Sequence, residues 1–176
     1  MRSANIKTTD VSRSHQTATT ARDAVLEMLK EDHKRVKKAF RDFEKLDVVE
    51  DRDECADLVA RTCNELEVHA QLEEDLFYPA LRGSIEEDLI DEAEVEHKSA
   101  KTLIAELEGM SPDDEKYSAT FTVLGEYVKH HIHEEESEMF QQLGRAKIDW
   151  DGLLESMQTH REELMGESGD GHGRSS

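Results

Sequence analysis

Two copies of the pattern His-x-x-x-Glu constrain this sequence more than any other feature. The first copy is His69 with Glu73, and the second is His131 with Glu135. Side chains four residues apart lie on the same face of an α-helix, so each copy presents an imidazole beside a carboxylate. Each pair is therefore predicted to be half of a metal-binding site.

Apolar residues at spacings of three or four surround both pairs, over residues 58–80 and 117–139. This spacing is typical of helices that bury one face, and both pairs are in phase with it. A buried, ionised glutamate costs several kcal/mol unless a charge or hydrogen bond compensates it. A shared cation would compensate both. His130 and His133 are rotated by roughly 100° and 200° from His131 at 3.6 residues per turn, so they are poorer candidates for the same cavity.

Two more histidines stand where a helical stripe would otherwise carry an aliphatic residue. His33 lies in the stripe of a first predicted helix, and His97 lies in the stripe of a third. In an antiparallel bundle, the depths of all four histidines along their helices can meet at one level. The sequence therefore predicts that four imidazoles and two carboxylates converge.

The composition predicts an all-α fold, since the chain has only two prolines and nine glycines and lacks strand-forming runs. Four helices joined by short connections predict an antiparallel up-down-up-down four-helix bundle with a short C-terminal fifth helix. Thr20 is predicted to cap the first helix, and Ser111 with Pro112 the fourth. The fifth helix is expected to pack across one end of the bundle or to mediate a homodimer. The predicted parts are a flexible arm (1–19), the bundle (20–145), the short packing helix (146–165) and a disordered tail (166–176).

The formal net charge of −20 argues against nucleic acid or an anionic membrane as a partner, because an acidic surface repels phosphate. No apolar stretch approaches the roughly 20 residues that a membrane span needs, and no apolar signal region follows the N-terminal basic residues. A cytoplasmic location is therefore expected. Cys55 and Cys63 are eight positions apart on one predicted helix, too far apart for a disulfide, and are interpreted as reduced core residues.

Six converging ligands exceed the four of a tetrahedral zinc site. Two ions bridged by Glu73 and Glu135, with the histidines outside and positions open for a small molecule, explain the set better. Imidazole and carboxylate donors suit iron, so a pair of iron ions is predicted. Glu74 and Glu136 are offset by one residue from the stripes and are predicted to be supporting or surface groups.

The sequence resembles the hemerythrin-like HHE cation-binding domains over roughly residues 22–143. The matching elements are Asp32-His33, His69-x-x-x-Glu73-Glu74 leading into Phe77-Tyr78-Pro79, Glu96-His97, and His131-x-x-x-Glu135-Glu136 leading into Met139-Phe140. The resemblance implies a four-helix bundle with two non-heme iron ions (Fe²⁺/Fe³⁺), often joined by an oxo or hydroxo bridge. It also implies oxygen, nitric oxide or peroxide as the small-molecule partner, or a part in iron handling and stress response.

The sequence departs from the oxygen-carrying members of that family at two places. Their third helix carries His-x-x-x-His, whereas His97 here is followed by Lys101. Their fourth helix places an Asp five residues after its His, where the nearest analogues here are Glu135 and Glu136. The chain therefore looks more like the bacterial relatives than like a reversible oxygen carrier.

Three other functions remain open on the sequence. An enzyme could use the same centre for peroxide removal or nitric oxide reduction, because an open position on a redox metal permits chemistry. Iron storage of the ferritin type expects two Glu-x-x-His motifs, and only Glu94 with His97 fits. A helical interaction bundle without a functional metal is the last alternative, and it would have to bury acids that are rarely buried.

Overall fold

Five α-helices make up most of residues 19–170, the part of the chain that the structure, a computed structural model, describes. Within that range there is no strand. The predicted all-α fold, an antiparallel up-down-up-down four-helix bundle followed by a fifth helix, is confirmed. The helices are α1 (Ala21–Phe43), α2 (Arg52–Leu72), α3 (Glu87–Glu108), α4 (Tyr117–Glu134) and α5 (Trp150–Asp170).

Two helices of the bundle continue through a wider, π-helical turn. After α2 this turn covers Glu73–Phe77 and leads into a last α-helical turn, and after α4 it covers Glu135–Met139 and leads into a 3₁₀ turn. In the first, the Tyr78 N–H donates to the Glu73 carbonyl, five residues back. A π turn takes more residues than an α turn, so it changes which side chains face inward after it. Each π turn begins at the glutamate of a His-x-x-x-Glu pair.

The ends of the helices agree with the sequence in some places and differ in others. The Asp23 N–H donates to Thr20 Oγ1 at 3.1 Å, which confirms the predicted cap of α1. The fourth helix begins only at Tyr117, so the predicted start at Ser111 and Pro112 was wrong. Residues 111–114 instead form a turn in which the Ser111 N–H donates to the Asp114 carboxylate at 2.7 Å. The predicted arm falls almost wholly on residues 1–18, outside the described residues.

The fifth helix is longer than predicted and packs in a different place. It has 21 residues and ends at Asp170, so the predicted end at 165 was too early. It lies alongside α1 and α2 and does not cross one end of the bundle. Leu153 and Met157 are buried against the bundle, since helix faces with apolar residues at this spacing exclude water. The last part of the predicted tail, residues 171–176, lies outside the described residues.

Two apolar clusters fill the bundle, with a polar layer between them. In α1, His33 lies between Leu29, which belongs to one cluster, and Val36, which belongs to the other. One cluster includes Phe40, Phe43, Leu58, Phe121 and Leu124, and the other includes Leu29, Leu72, Phe77, Leu81 and Phe140.

Two further predictions can be compared with the helices. No helix among the described residues is long and apolar enough to cross a lipid bilayer. Both cysteines are free and buried, as predicted.

Candidate metal centre

The four helices of the bundle bring the six predicted metal-site residues together in the polar layer. None of the six is more than 8% exposed. The four histidines meet at one level of the bundle, as predicted. Neighbouring helices run in opposite directions, so a residue early in one helix can lie level with a residue late in the next. The six are His33 from α1, His69 and Glu73 from α2 and its π turn, His97 from α3, and His131 and Glu135 from α4 and its π turn.

The donor atoms form two groups, one of His33, His69 and Glu135 and one of Glu73, His97 and His131. Within each group the donor atoms lie within 4.8 Å of one another. Such compact sets of nitrogen and oxygen donors are what a transition-metal ion requires. The residues present therefore fit two ions, one at each group.

Each glutamate lies between the two groups. Glu73 Oε1 is 2.9 Å from His69 Nε2 and 3.4 Å from His97 Nε2, which belong to different groups. Glu135 places Oε1 at 3.6 Å from His33 Nε2 and Oε2 at 3.2 Å from His131 Nε2. If an ion occupied each group, both carboxylates would be within reach of both ions.

A carboxylate contacts the outer nitrogen, Nδ1, of every one of the four histidines. A neutral imidazole that donates its Nδ1–H leaves the Nε2 lone pair free to bind a metal. Asp32 and Glu96 are therefore supporting groups, and their only signal in the sequence is that each directly precedes an inward histidine. The four contacts are His33 with Glu136 at 2.8 Å, His69 with Asp32 at 2.9 Å, His97 with Glu74 at 3.0 Å and His131 with Glu96 at 2.7 Å.

These contacts repeat with approximate two-fold symmetry. Asp32 precedes His33 and contacts His69, while Glu96 precedes His97 and contacts His131. The residue after each inward glutamate likewise contacts a histidine of the other helix pair. The prediction that Glu74 and Glu136 are supporting or surface groups agrees with this placement. Glu74 and Glu136 remain partly exposed, whereas Glu73 and Glu135 are buried.

The charged side chains of the centre stabilise one another in the protein without ions. Burial disfavours a charge on His69, but the negative charge of Glu73 and the hydrogen bond with Asp32 outweigh it and raise the pKa of His69 to about 10. Burial likewise opposes protonation of His131, but hydrogen bonds to two carboxylates raise its pKa well above the usual value. The same pairing lowers the pKa of Glu73 well below its usual value despite its burial. A metal ion must therefore displace protons when it binds.

Several atoms of the centre lack a hydrogen-bond partner within the described residues. A buried polar atom without a partner costs about 1–3 kcal/mol. Metal ions bound at the two groups of donors would satisfy such atoms. They are Nε2 of His33 and of His69, both carboxylate oxygens of Glu73, and Oε1 of Glu135.

Tyr78 is a further polar group in the centre, and its role was not predicted from the sequence. Its hydroxyl donates to Glu135 Oε2 at 2.9 Å and lies 3.3 Å from His97 Nε2. Burial, together with the negative charge of Glu135, raises the pKa of Tyr78 well above its usual value, so the hydroxyl keeps its proton. Its signal in the sequence is a tyrosine five residues after the inward Glu73, next to the wholly apolar Phe77.

A cavity of about 40 Å³ adjoins the centre on the side of the cluster that contains Phe40. The four inward histidines line this cavity. A water molecule needs about 10–15 Å³ on this measure, so the cavity has room for a diatomic molecule or peroxide. Its aliphatic walls are Val36, Leu66, Ala70, Ala100, Ile104, Val128 and Ile132.

Three side chains that lie near the ligands in the sequence, Lys101, His130 and His133, lie outside the centre. Lys101 is about 40% exposed and its ammonium group forms an ion pair with Glu74. His130 is about 61% exposed and faces Glu134 on the surface. His133 is also exposed, so the predicted outward orientation of both histidines is confirmed.

Comparisons with known proteins agree with this geometry. The sequence model of the hemerythrin HHE cation-binding domain matches residues 24–143. No curated protein matches the chain significantly. The crystal structure of a hemerythrin HHE cation-binding domain-containing protein from Mycobacterium kansasii is similar, with a TM-score of 0.70 and 27% identity over 84% of this chain and 93% of that one. The chain therefore belongs to the hemerythrin HHE cation-binding domain family.

Proposed function

We propose that this protein holds two non-heme iron ions, one at each group of donors. The observation that carries the proposal is the position of Glu73 and Glu135, each within 3.6 Å of histidines from both groups. A single ion bound at one group would not explain why each carboxylate also lies close to a histidine of the other group. Mixed imidazole and carboxylate donors with more than four members favour iron over a tetrahedral zinc ion.

The centre would bind or sense a small molecule such as oxygen, nitric oxide or peroxide, or take part in iron handling. The cavity beside the histidines supports a small partner, because its volume of about 40 Å³ has room for a diatomic molecule or peroxide. Iron supplies open coordination positions and a change of redox state there. The surrounding residues hold the histidines in one orientation, keep bulk water away and maintain a proton on Tyr78.

The metal content of freshly purified protein tests the proposal directly. Elemental analysis of protein produced with ample iron should give about two iron ions per chain. The variants His69→Ala and Glu73→Ala should lose most of that iron, because each removes a buried donor of the centre. Zinc alone, or less than one iron per chain, would contradict the proposal.

Matched controls come from the same turn of α4. His130→Ala and His133→Ala remove exposed imidazoles close in sequence to His131 and should leave the iron content nearly unchanged. An equal loss from His130→Ala and His131→Ala would mean that the imidazoles bind iron wherever they lie, and that the buried geometry is irrelevant.

A further inference from the structure

The fifth helix lies beyond the segment that matches the family model, yet it reaches the metal centre. Arg161 of α5 points its guanidinium group at Asp32 of α1. Nη1 donates to Oδ1 at 2.8 Å, and Nη2 contacts Oδ2. Both carboxylate oxygens are therefore held by one planar fork, the geometry in which arginine binds carboxylates most specifically.

Asp32 connects this arginine to a metal-facing histidine. Its Oδ2 accepts from Nδ1 of His69 at 2.9 Å, on the edge of the ring opposite the nitrogen that faces the centre. Asp32 also contacts Arg35, but the Arg35 side chain is about 51% exposed, whereas that of Arg161 is about 22% exposed. Arg161 is thus the less exposed of the two cations, and it contacts both carboxylate oxygens of Asp32.

The other half of the bundle lacks this arrangement. Glu96, which takes the part of Asp32 there, contacts His131 at 2.7 Å. Its other charged neighbours are His130 and Glu134. Among the described residues, no arginine or lysine nitrogen lies within ion-pairing distance of the Glu96 carboxylate. The two halves of the centre therefore differ in how firmly their supporting carboxylates are held.

We propose that Arg161 is a positioning residue for His69. It fixes the Asp32 carboxylate, which fixes the imidazole ring and aims Nε2 into the group formed with His33. The fifth helix thereby sets the affinity of one of the two metal positions and leaves the other unaffected. This inference rests on the proposed two-ion centre and assigns a role to a residue outside the part of the chain that matches the family.

A comparison of two variants on one turn of α5 tests the inference. Arg161→Gln removes the fork, whereas His160→Gln removes a neighbouring contact, from His160 Nε2 to Asp75 Oδ2 at 2.9 Å, that also anchors the helix. Protein freed of metal is titrated with Co²⁺, whose visible spectrum reports binding at each position. Wild type and His160→Gln should bind two equivalents with the same affinities. Arg161→Gln should bind one equivalent normally and the other about tenfold more weakly, near the lower limit for loss of a supporting group.

A double-mutant cycle separates positioning from a loss of helix packing. Asp32→Asn should weaken the same equivalent, and adding Arg161→Gln should weaken it no further, because the arginine acts through the carboxylate. Fully additive losses would overturn the inference. So would unchanged affinities in folded Arg161→Gln, or an equal loss in His160→Gln.

Arg161→Lys keeps the charge and the long side chain but cannot form the fork, and it decides the matter if Arg161→Gln does not fold. It should show a smaller loss at the same single equivalent, and wild-type affinity at both would overturn the inference. If wild type itself binds fewer than two equivalents, the two-ion centre fails, and that result is distinct from every failure of Arg161.

Discussion

Removal of the metal ions should destabilise this protein strongly, because several buried donor atoms of the centre then have no hydrogen-bond partner, although its opposite charges attract one another. Among the described side chains of residues 19–170, the buried atoms without hydrogen-bond partners belong to His33, His69, Glu73 and Glu135, with one further atom on Arg161. His69 Nε2 and Glu73 Oε1 lie 2.9 Å apart, but they are not aligned for a hydrogen bond. A bound ion stabilises only the folded state that assembles its ligands.

The size of the effect follows from those atoms. An unsatisfied buried polar atom costs about 1–3 kcal/mol, and the five atoms of the four ligands together give a cost of roughly 5–15 kcal/mol. Attraction between protonated His69 and Glu73 offsets part of this cost, so we take the lower end, about 5 kcal/mol. For a chain of this length 1 kcal/mol shifts the melting temperature by about 2–4 °C, which gives a fall of about 10–20 °C.

Thermal unfolding followed by far-ultraviolet circular dichroism measures this fall. Iron-loaded protein is compared with the same sample after chelation and dialysis, and Fe²⁺ is then added back without oxygen to restore the melting temperature. Glu73→Ala serves as the control, because a variant that has lost its ions should not respond to the chelator. Equal melting temperatures for loaded and chelated wild type would refute the reasoning from unsatisfied donors.

Two further predictions concern the protein without ions and the packing of its core. His69 has its pKa raised from 6.5 to about 10, so its charged form stabilises the ion-free fold; this contribution is complete below pH 6.5 and is lost as the pH rises through about 10. Urea unfolding of chelated protein should therefore show lower stability at about pH 9 than at about pH 6, and the reverse order would contradict the assignment. Gly125→Ala should cost about 1–3 kcal/mol in the same assay, because its Cβ would lie 2.8 Å from Cδ1 of the buried Phe40 ring. Gly144→Ala, whose new Cβ would meet no atom within 4 Å from elsewhere in the described part of the chain, should leave stability within about 0.5 kcal/mol and is the matched control.

The sequence predicted which side chains would meet because helical phase is a local property. An imidazole in an apolar stripe, as at His33, must point inward if the stripe does, whatever the neighbouring helices are. The same rule placed Glu74 and Glu136 beside the inward face, in agreement with the structure, but it did not predict which histidines they contact. Phase counted at 3.6 residues per turn places Glu74 off the inward face, and only the structure shows that it contacts His97.

Contacts between distant parts of the chain could not be predicted in this way. The apolar spacing of the fifth helix shows that one of its faces is buried, but it does not say against which helices. Arg161 therefore gave no signal, since its partner Asp32 lies at the other end of the sequence.

The start of the fourth helix was predicted wrongly for a different reason. Pro112 suits both the first turn of a helix and an ordinary turn, and here a side-chain hydrogen bond to the Ser111 N–H selects the turn.

The two-fold pattern of contacts bears on how such a centre can arise. Residues 21–81 contribute two inward histidines and one inward glutamate, and residues 87–145 contribute the same set. One half cannot assemble the centre alone, but two identical helical hairpins related by a two-fold axis would present all six donors. In such a dimer the two ion positions would be the same by symmetry. In one chain, by contrast, each half can acquire its own substitutions. A helix at one end of the chain can then affect one ion position without affecting the other.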